Sequence, residues 1–240
     1  MRSILFIFLS IALFHLNTNS KAEEDHMKAY LFPGQGSDHR LFQNLHLNDT
    51  FDIIHIQYPV PDRKMSMKDY ARLLADQIDT TEKYVLIGVS LGGMICTEMN
   101  DFLKPEKTIL ISSAKRRKEL PGFYRFMKYF PVYRIIPKNM IKGVSFVAQP
   151  FFEPDRKNGK KIFVSMLRDL DPTFLKRSIN MIVRWDRTEY SDLIVHFHGD
   201  NDHTLPIKNI QTDHVIEDGS HLMVFTRGDE LSSLINDILK

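Results

Sequence analysis

Tyr84-Val85-Leu86-Ile87-Gly88-Val89-Ser90-Leu91-Gly92-Gly93 is an apolar run that enters a turn of small residues and continues into a helical pattern. The run reads as a strand. Gly88 and Gly92 flank Ser90 at G-x-S-x-G spacing, and their missing side chains leave room for a sharp strand-to-helix turn. Such a turn strains the serine and lifts its hydroxyl above the sheet edge, while the helix starting at Leu91 adds positive potential there. The alternative is a glycine-rich turn whose serine only caps the helix.

On either side, short apolar runs alternate with helix-like stretches, the signature of a parallel sheet covered by crossover helices. Strands are expected at Ala29 to Phe32, Asp52 to Gln57, Tyr84 to Gly88, Thr108 to Ser112, Leu193 to His198 and His214 to Glu217. Met67, Tyr70, Ala71, Leu74 and Ile78 recur at helical spacing behind Ser66 and Asp69, which stand like a capping box. Leu91 to Leu103, stopped by Pro105, and Asp229 to Leu239 read as two further helices. The stretch from about 114 to 190 breaks the alternation with prolines, aromatics and helices around Lys160 to Leu170 and Pro172 to Trp185. It reads as a cap inserted at the carboxyl end of a strand, where ligands of open α/β sheets bind.

With 240 residues, 43% hydrophobic and 26% charged, the chain has the balance of one globular domain. A net charge of +2 is too mild to argue for a nucleic-acid partner. Arg2, the apolar run from Ile4 to Leu16, polar residues 17–20 and Ala22 form the pattern of a signal peptide over residues 1–22, which implies export. The alternative is an uncleaved membrane anchor. Cys96 is the sole cysteine, so the folded domain holds no internal disulfide, and its place in a helical pattern makes it a core residue.

A serine hydroxyl needs a base to take its proton as it attacks. His221, in Asp218-Gly219-Ser220-His221 after the last expected strand, is placed to reach Ser90 above the sheet. After the preceding strand, Val195-His196-Phe197-His198-Gly199-Asp200-Asn201-Asp202 offers two carboxylates, Asp200 and Asp202, either of which could orient that histidine.

G-x-S-x-G, then H-G-x-x-D with Pro206 beyond it, then G-x-H, in the chain order Ser, Asp, His, resembles the α/β-hydrolase superfamily. The resemblance covers Lys28 to Lys240 in order of elements, but only the motif regions carry specificity. It implies an α/β fold, a mostly parallel sheet of about six strands flanked by helices with a helical cap insertion. It also implies Asp202 as the acid, with Asp200 the fallback, and the amides of Leu91 and Gln35 as oxyanion donors. In Phe32-Pro33-Gly34-Gln35-Gly36, Pro33 replaces the histidine often found there. The implied activity is a serine hydrolase acting on a small-molecule carboxylic ester or thioester, with no metal or organic cofactor. An acyltransferase, or a non-catalytic ligand-binding protein on the same scaffold, are the alternatives.

His196-Phe197-His198-Gly199-Asp200 imitates the start of a metallo-β-lactamase metal site, but Asn201 stands where that pattern needs another histidine. His198 is therefore expected to support the turn beneath Asp202, and His196 to pack in the sheet. The cap mixes Lys115-Arg116-Arg117-Lys118, Arg125, Lys128, Arg134, Lys138 and Lys142 with Phe123, Tyr124, Phe126, Tyr129, Phe130 and Tyr133. The expectation is a lid whose aromatics cover the active site while its basic side chains sit in water. Weak contact with anionic lipid is the alternative. Trp185 reads as core.

Overall fold

The computed structural model describes residues 26–152 and 160–240, so the expected leader over 1–22 lies outside the described residues. Strands β1 (Met27–Phe32), β2 (Phe51–His55), β3 (Tyr84–Val89), β4 (Lys107–Ile111), β5 (Ile194–Gly199) and β6 (His214–Ile216) form one sheet in the order β2-β1-β3-β4-β5-β6. Every neighbouring pair is parallel. The helices are α1 (Met67–Ala75), α2 (Leu91–Met99), α3 (Gly122–Met127), α4 (Lys138–Phe152), α5 (Lys160–Asp169), α6 (Pro172–Arg184), α7 (Met223–Thr226) and α8 (Gly228–Ile238).

Alternation along the central strands builds two cores. Tyr30, Phe32, Leu86 and Leu110 pack on one face with Tyr70 and Leu74 of α1 and Ile95 of α2. Ala29, Leu31, Val85, Ile87 and Ile109 pack on the other with Leu231 and Ile235 of α8. Both faces being covered explains why the strands read as continuous apolar runs. From β1 the chain first goes outward to β2 and then crosses to β3 on the other side. The carboxyl ends of β1 and β3, paired at Phe32 and Gly88, thus flank a topological switch point.

The Ser66 hydroxyl accepts the Asp69 amide at 3.1 Å and donates to its carboxylate at 2.7 Å, which starts α1 where the sequence places it. Helix α2 stops earlier than Leu103. The Asn100 side chain donates back to the Cys96 carbonyl at 2.8 Å and to Thr108 at 3.1 Å, and single turns carry the chain onward. Cys96 is fully buried. Trp185 is buried too, and its indole N–H donates to Glu98 of α2 at 2.7 Å.

Between β4 and β5 lie α3 to α6. Pro172 occupies the first turn of α6, and Asp171 caps it by accepting the Thr173 amide. Lys176 donates to the carbonyls of Arg134 and Ile136, and Lys142 to those of Arg168 and Leu170, so two ammonium groups tie the α3–α4 region to α5 and α6. The aromatics of this segment divide. Tyr133 is buried with Met127 against Val183, and Tyr124 packs beside them, whereas Phe126, Tyr129 and Phe130 face solvent instead of covering a site. No helix among the described residues is long and apolar enough to cross a membrane.

Candidate active site

Ser90 joins β3 to α2 with φ +51° and ψ −116°, a conformation that costs a non-glycine residue about 1–3 kcal/mol. Its surroundings hold it there. The Ser90 amide donates to Ile111 at 3.1 Å, and its carbonyl accepts from the Ser113 hydroxyl at 2.7 Å and from the Met94 amide at 3.2 Å. A Cβ on Gly92 would sit 2.1 Å from the Phe32 carbonyl oxygen, so only glycine lets α2 approach β1 this closely. The Ser90 side chain makes no capping bond to α2. Its Oγ lies 3.0 Å from His221 Nε2 instead.

His221 is carried by the turn after β6. Asp218 adopts φ +54°, Gly219 bonds back to Ile216, and the Gly219 carbonyl accepts the Asn201 amide, binding this turn to the one after β5. That second turn presents Asp202. Its side chain is fully buried, with Oδ2 2.7 Å from His221 Nδ1 and Oδ1 accepting the Thr204 and Leu205 amides at 2.8 Å each. A carboxylate only accepts, so the His221 proton belongs on Nδ1 and the Nε2 lone pair faces the Ser90 hydroxyl. Burial would raise the Asp202 carboxyl, but the His221 charge and hydrogen bond, with help from His198 and the Leu205 amide, hold it below the ordinary aspartate range. Asp200 is exposed at the tip of the turn. Ser90, His221 and Asp202 are thus brought into one hydrogen-bonded line.

His196 and His198 are both fully buried. His198 Nε2 donates to the Leu205 carbonyl at 2.7 Å, and His196 Nδ1 faces the Gln211 carbonyl at 3.3 Å while its Nε2 accepts from the Ser113 amide at 3.4 Å. Burial lowers the pKa of both, His196 well below the ordinary value. Among the described residues no group of three or more His, Cys, Asp or Glu side chains is placed to hold a metal ion.

The loop after β1 lies against the serine, since a Cβ on Gly34 would stand 3.3 Å from Ser90 Cβ. It is held from three sides. Tyr58 donates to the Pro33 carbonyl at 3.0 Å, Ser37 to the Gly34 carbonyl at 2.9 Å, and Gln35 Nε2 to Ser178 Oγ of α6 at 2.7 Å. The main-chain amides of Gln35 and Leu91 donate to no protein acceptor among the described residues, and both residues line the cavity above Ser90. Tyr58, Ser113 and Ser178 were not singled out in the sequence. Only Ser178 carries a signal there, as a lone small polar residue on the apolar face of a helix.

A cavity of about 450 Å³ stands over Ser90 and His221, walled mostly by apolar side chains of the β4–β5 segment, including Tyr124, Tyr133, Leu167 and Ile182. Among the described residues, no Asp, Glu, Lys or Arg lines it.

The sequence profile of the Alpha/beta hydrolase family matches residues 21–234. No curated protein matches the chain in sequence. Among solved structures, a thermophilic esterase from Thermogutta terrifontis aligns with a TM-score of 0.68 at 18% identity, over 89% of each chain. The enol-lactonase from Burkholderia xenovorans LB400 aligns at 0.68 and 14% identity, over 89% of this chain and 91% of the other. An esterase from Exiguobacterium antarcticum aligns at 0.65 and 14%, over 89% and 92%. At these identities the likeness is one of fold.

Proposed function

The chain belongs to the α/β hydrolase family, and on that premise we propose that it is a serine hydrolase of the carboxylesterase type, acting on small esters with an uncharged acyl group. The observation that carries this reading is the line Ser90–His221–Asp202, hydrogen-bonded end to end, with Ser90 and His221 lining an apolar cavity and Asp202 buried behind them. His221 Nε2 takes the Ser90 proton as Oγ attacks the ester carbonyl, and Asp202 stabilises the imidazolium that forms. The oxyanion accepts from the Leu91 and Gln35 amides, a contribution on the order of 100-fold or more in turnover for each donor. His221 then returns the proton to the departing alcohol, and water, deprotonated by the same imidazole, hydrolyses the acyl-enzyme.

The acyl preference follows from the walls. Burying an unpaired charge among them would cost several kcal/mol, so an apolar chain is favoured over a carboxylate-bearing one. The volume falls within the range of about 300–1,000 Å³ common to small-molecule sites. The two esterases and the enol-lactonase among the structural neighbours are in keeping with ester chemistry. Export through residues 1–22 is part of the same proposal, on the strength of Arg2 and the apolar run behind it.

The test is fluorophosphonate labelling of the wild type beside Ser90→Ala, followed by turnover of p-nitrophenyl esters of increasing acyl length. Labelling confined to the wild type, with kcat/KM rising from acetate to medium chains, is the expected result. A wild type that neither labels nor turns over overturns the assignment.

A further inference from the structure

The geometry points to a second property: we propose that the cap face around the cavity mouth docks on an anionic lipid surface, so that substrate enters from the membrane. The feeding of substrate rests on the serine-hydrolase reading; the docking does not. Phe123, Phe126, Tyr129, Phe130, Val132 and Ile135 are each 57–84% exposed, although they lie within thirteen consecutive positions in which Met127 and Tyr133 are buried. Phe126 and Phe130 stack on one another with ring centres 4.8 Å apart, still facing water. So many large apolar side chains left in water on one short segment mark a surface that meets something else.

Charge selects the occupant. Residues 120–152 contain Arg125, Lys128, Arg134, Lys138 and Lys142 and no aspartate or glutamate, in a chain whose overall charge is only +2. Arg125, Lys128, Arg134 and Lys138 are exposed on the same segment that carries the exposed aromatics. A second copy of the same face would set these cations against one another. An anionic bilayer attracts them while its headgroup layer accepts the tyrosine and phenylalanine rings. The face is also continuous with the site: Phe123, Val132 and Val144 are exposed and at the same time line the cavity above Ser90. An acyl chain leaving the bilayer would therefore pass from the patch to the serine along apolar walls.

The test uses the full chain carrying Ser90→Ala, sedimented with vesicles of phosphatidylcholine alone or mixed with phosphatidylglycerol, at low and high salt. Binding to the anionic vesicles only, weakened by salt, is expected. Combining Arg125→Ala, Lys128→Ala and Arg134→Ala should lower the partition coefficient about 100-fold, at roughly fivefold per cation. Tyr129→Ser with Ile135→Ser should weaken it further and, on the Ser90 background, leave turnover of a soluble ester unchanged, because neither side chain lines the cavity. Equal binding to neutral vesicles, or binding that these variants retain, overturns the proposal. So does self-association at micromolar concentration that Tyr129→Ser and Ile135→Ser abolish. Vesicle binding by a wild type without esterase activity upholds docking and sinks the enzymatic reading; turnover without vesicle binding does the reverse.

Discussion

His198 and Asp202 grip the same residue from two sides. His198 Nε2 donates to the Leu205 carbonyl at 2.7 Å while Asp202 Oδ1 accepts the Leu205 amide at 2.8 Å, and Nε2 stands 3.4 Å from Asp202 Oδ2. The buried histidine thus clamps the turn that aims the carboxylate at His221. Replacing it should disturb aim more than substrate binding. His198→Leu is expected to lower kcat about tenfold with little change in KM, and to cost about 1–3 kcal/mol of stability by orphaning a buried carbonyl. Steady-state kinetics beside urea unfolding separates the two effects, and an unchanged kcat would remove His198 from the positioning role.

The same pair of histidines makes stability depend on pH. Burial lowers the folded-state pKa of His196 and of His198, so below about 6.5 the unfolded chain binds protons that the folded one refuses. Stability is then fully present above pH 6.5 and is lost as pH falls toward the folded values, by up to about 1.4 kcal/mol per pH unit for each histidine. His55, lowered by burial and by His39, adds a smaller, solvent-screened share in the same direction. Urea midpoints between pH 5 and 7.5 should show this slope, and His196→Gln should flatten it.

Asp202→Asn should be more damaging than its size suggests. An amide N–H facing His221 Nδ1 would move the imidazole proton to Nε2, leaving no lone pair for the Ser90 hydroxyl. A fall in kcat on the order of 10⁴ is expected, with the fold intact. Asp200→Asn, at an exposed position, should leave turnover within about twofold. The reverse ranking would transfer the acid role to Asp200.

Gly92→Ala tests the elbow. The new methyl would meet the Phe32 carbonyl at 2.1 Å, a contact with backbone that no rotamer relieves. A loss of about 3 kcal/mol is expected in urea unfolding, with Ser90 labelling slowed in whatever protein remains folded. Normal stability and labelling would mean that α2 tolerates a wider spacing from β1.

Gln35 and Ser178 should be coupled. Their 2.7 Å hydrogen bond ties the loop after β1 to α6, and either Gln35→Ala or Ser178→Ala frees the Gln35 amide from its fixed position. A double-mutant cycle on kcat/KM should give a coupling of about 1 kcal/mol. Additive losses would show that the loop is held by Tyr58 and Ser37 alone.

Much of this was legible in one dimension, for a physical reason. Strand patterning, the G-x-S-x-G turn and the Asp202 and His221 turns depend on residues close in sequence, where period, glycine spacing and chain order constrain the backbone directly. Six parallel strands, and Ser90, Asp202 and His221 in one line, followed from those constraints, whereas the order of the strands across the sheet came with the tertiary structure. Helix ends were less legible: Asn100 closes α2 through a side-chain bond that competes with the helix. The Gln35–Ser178 bond joins residues 143 positions apart, and Tyr58 reaches Pro33 through a hydroxyl that any buried tyrosine could have spent elsewhere. The division of the cap aromatics between cavity and solvent came only with packing. Six rings in one amphipathic stretch carry no local mark of which face will find a partner, because that is decided by the shape of α6 and the sheet edge beneath them.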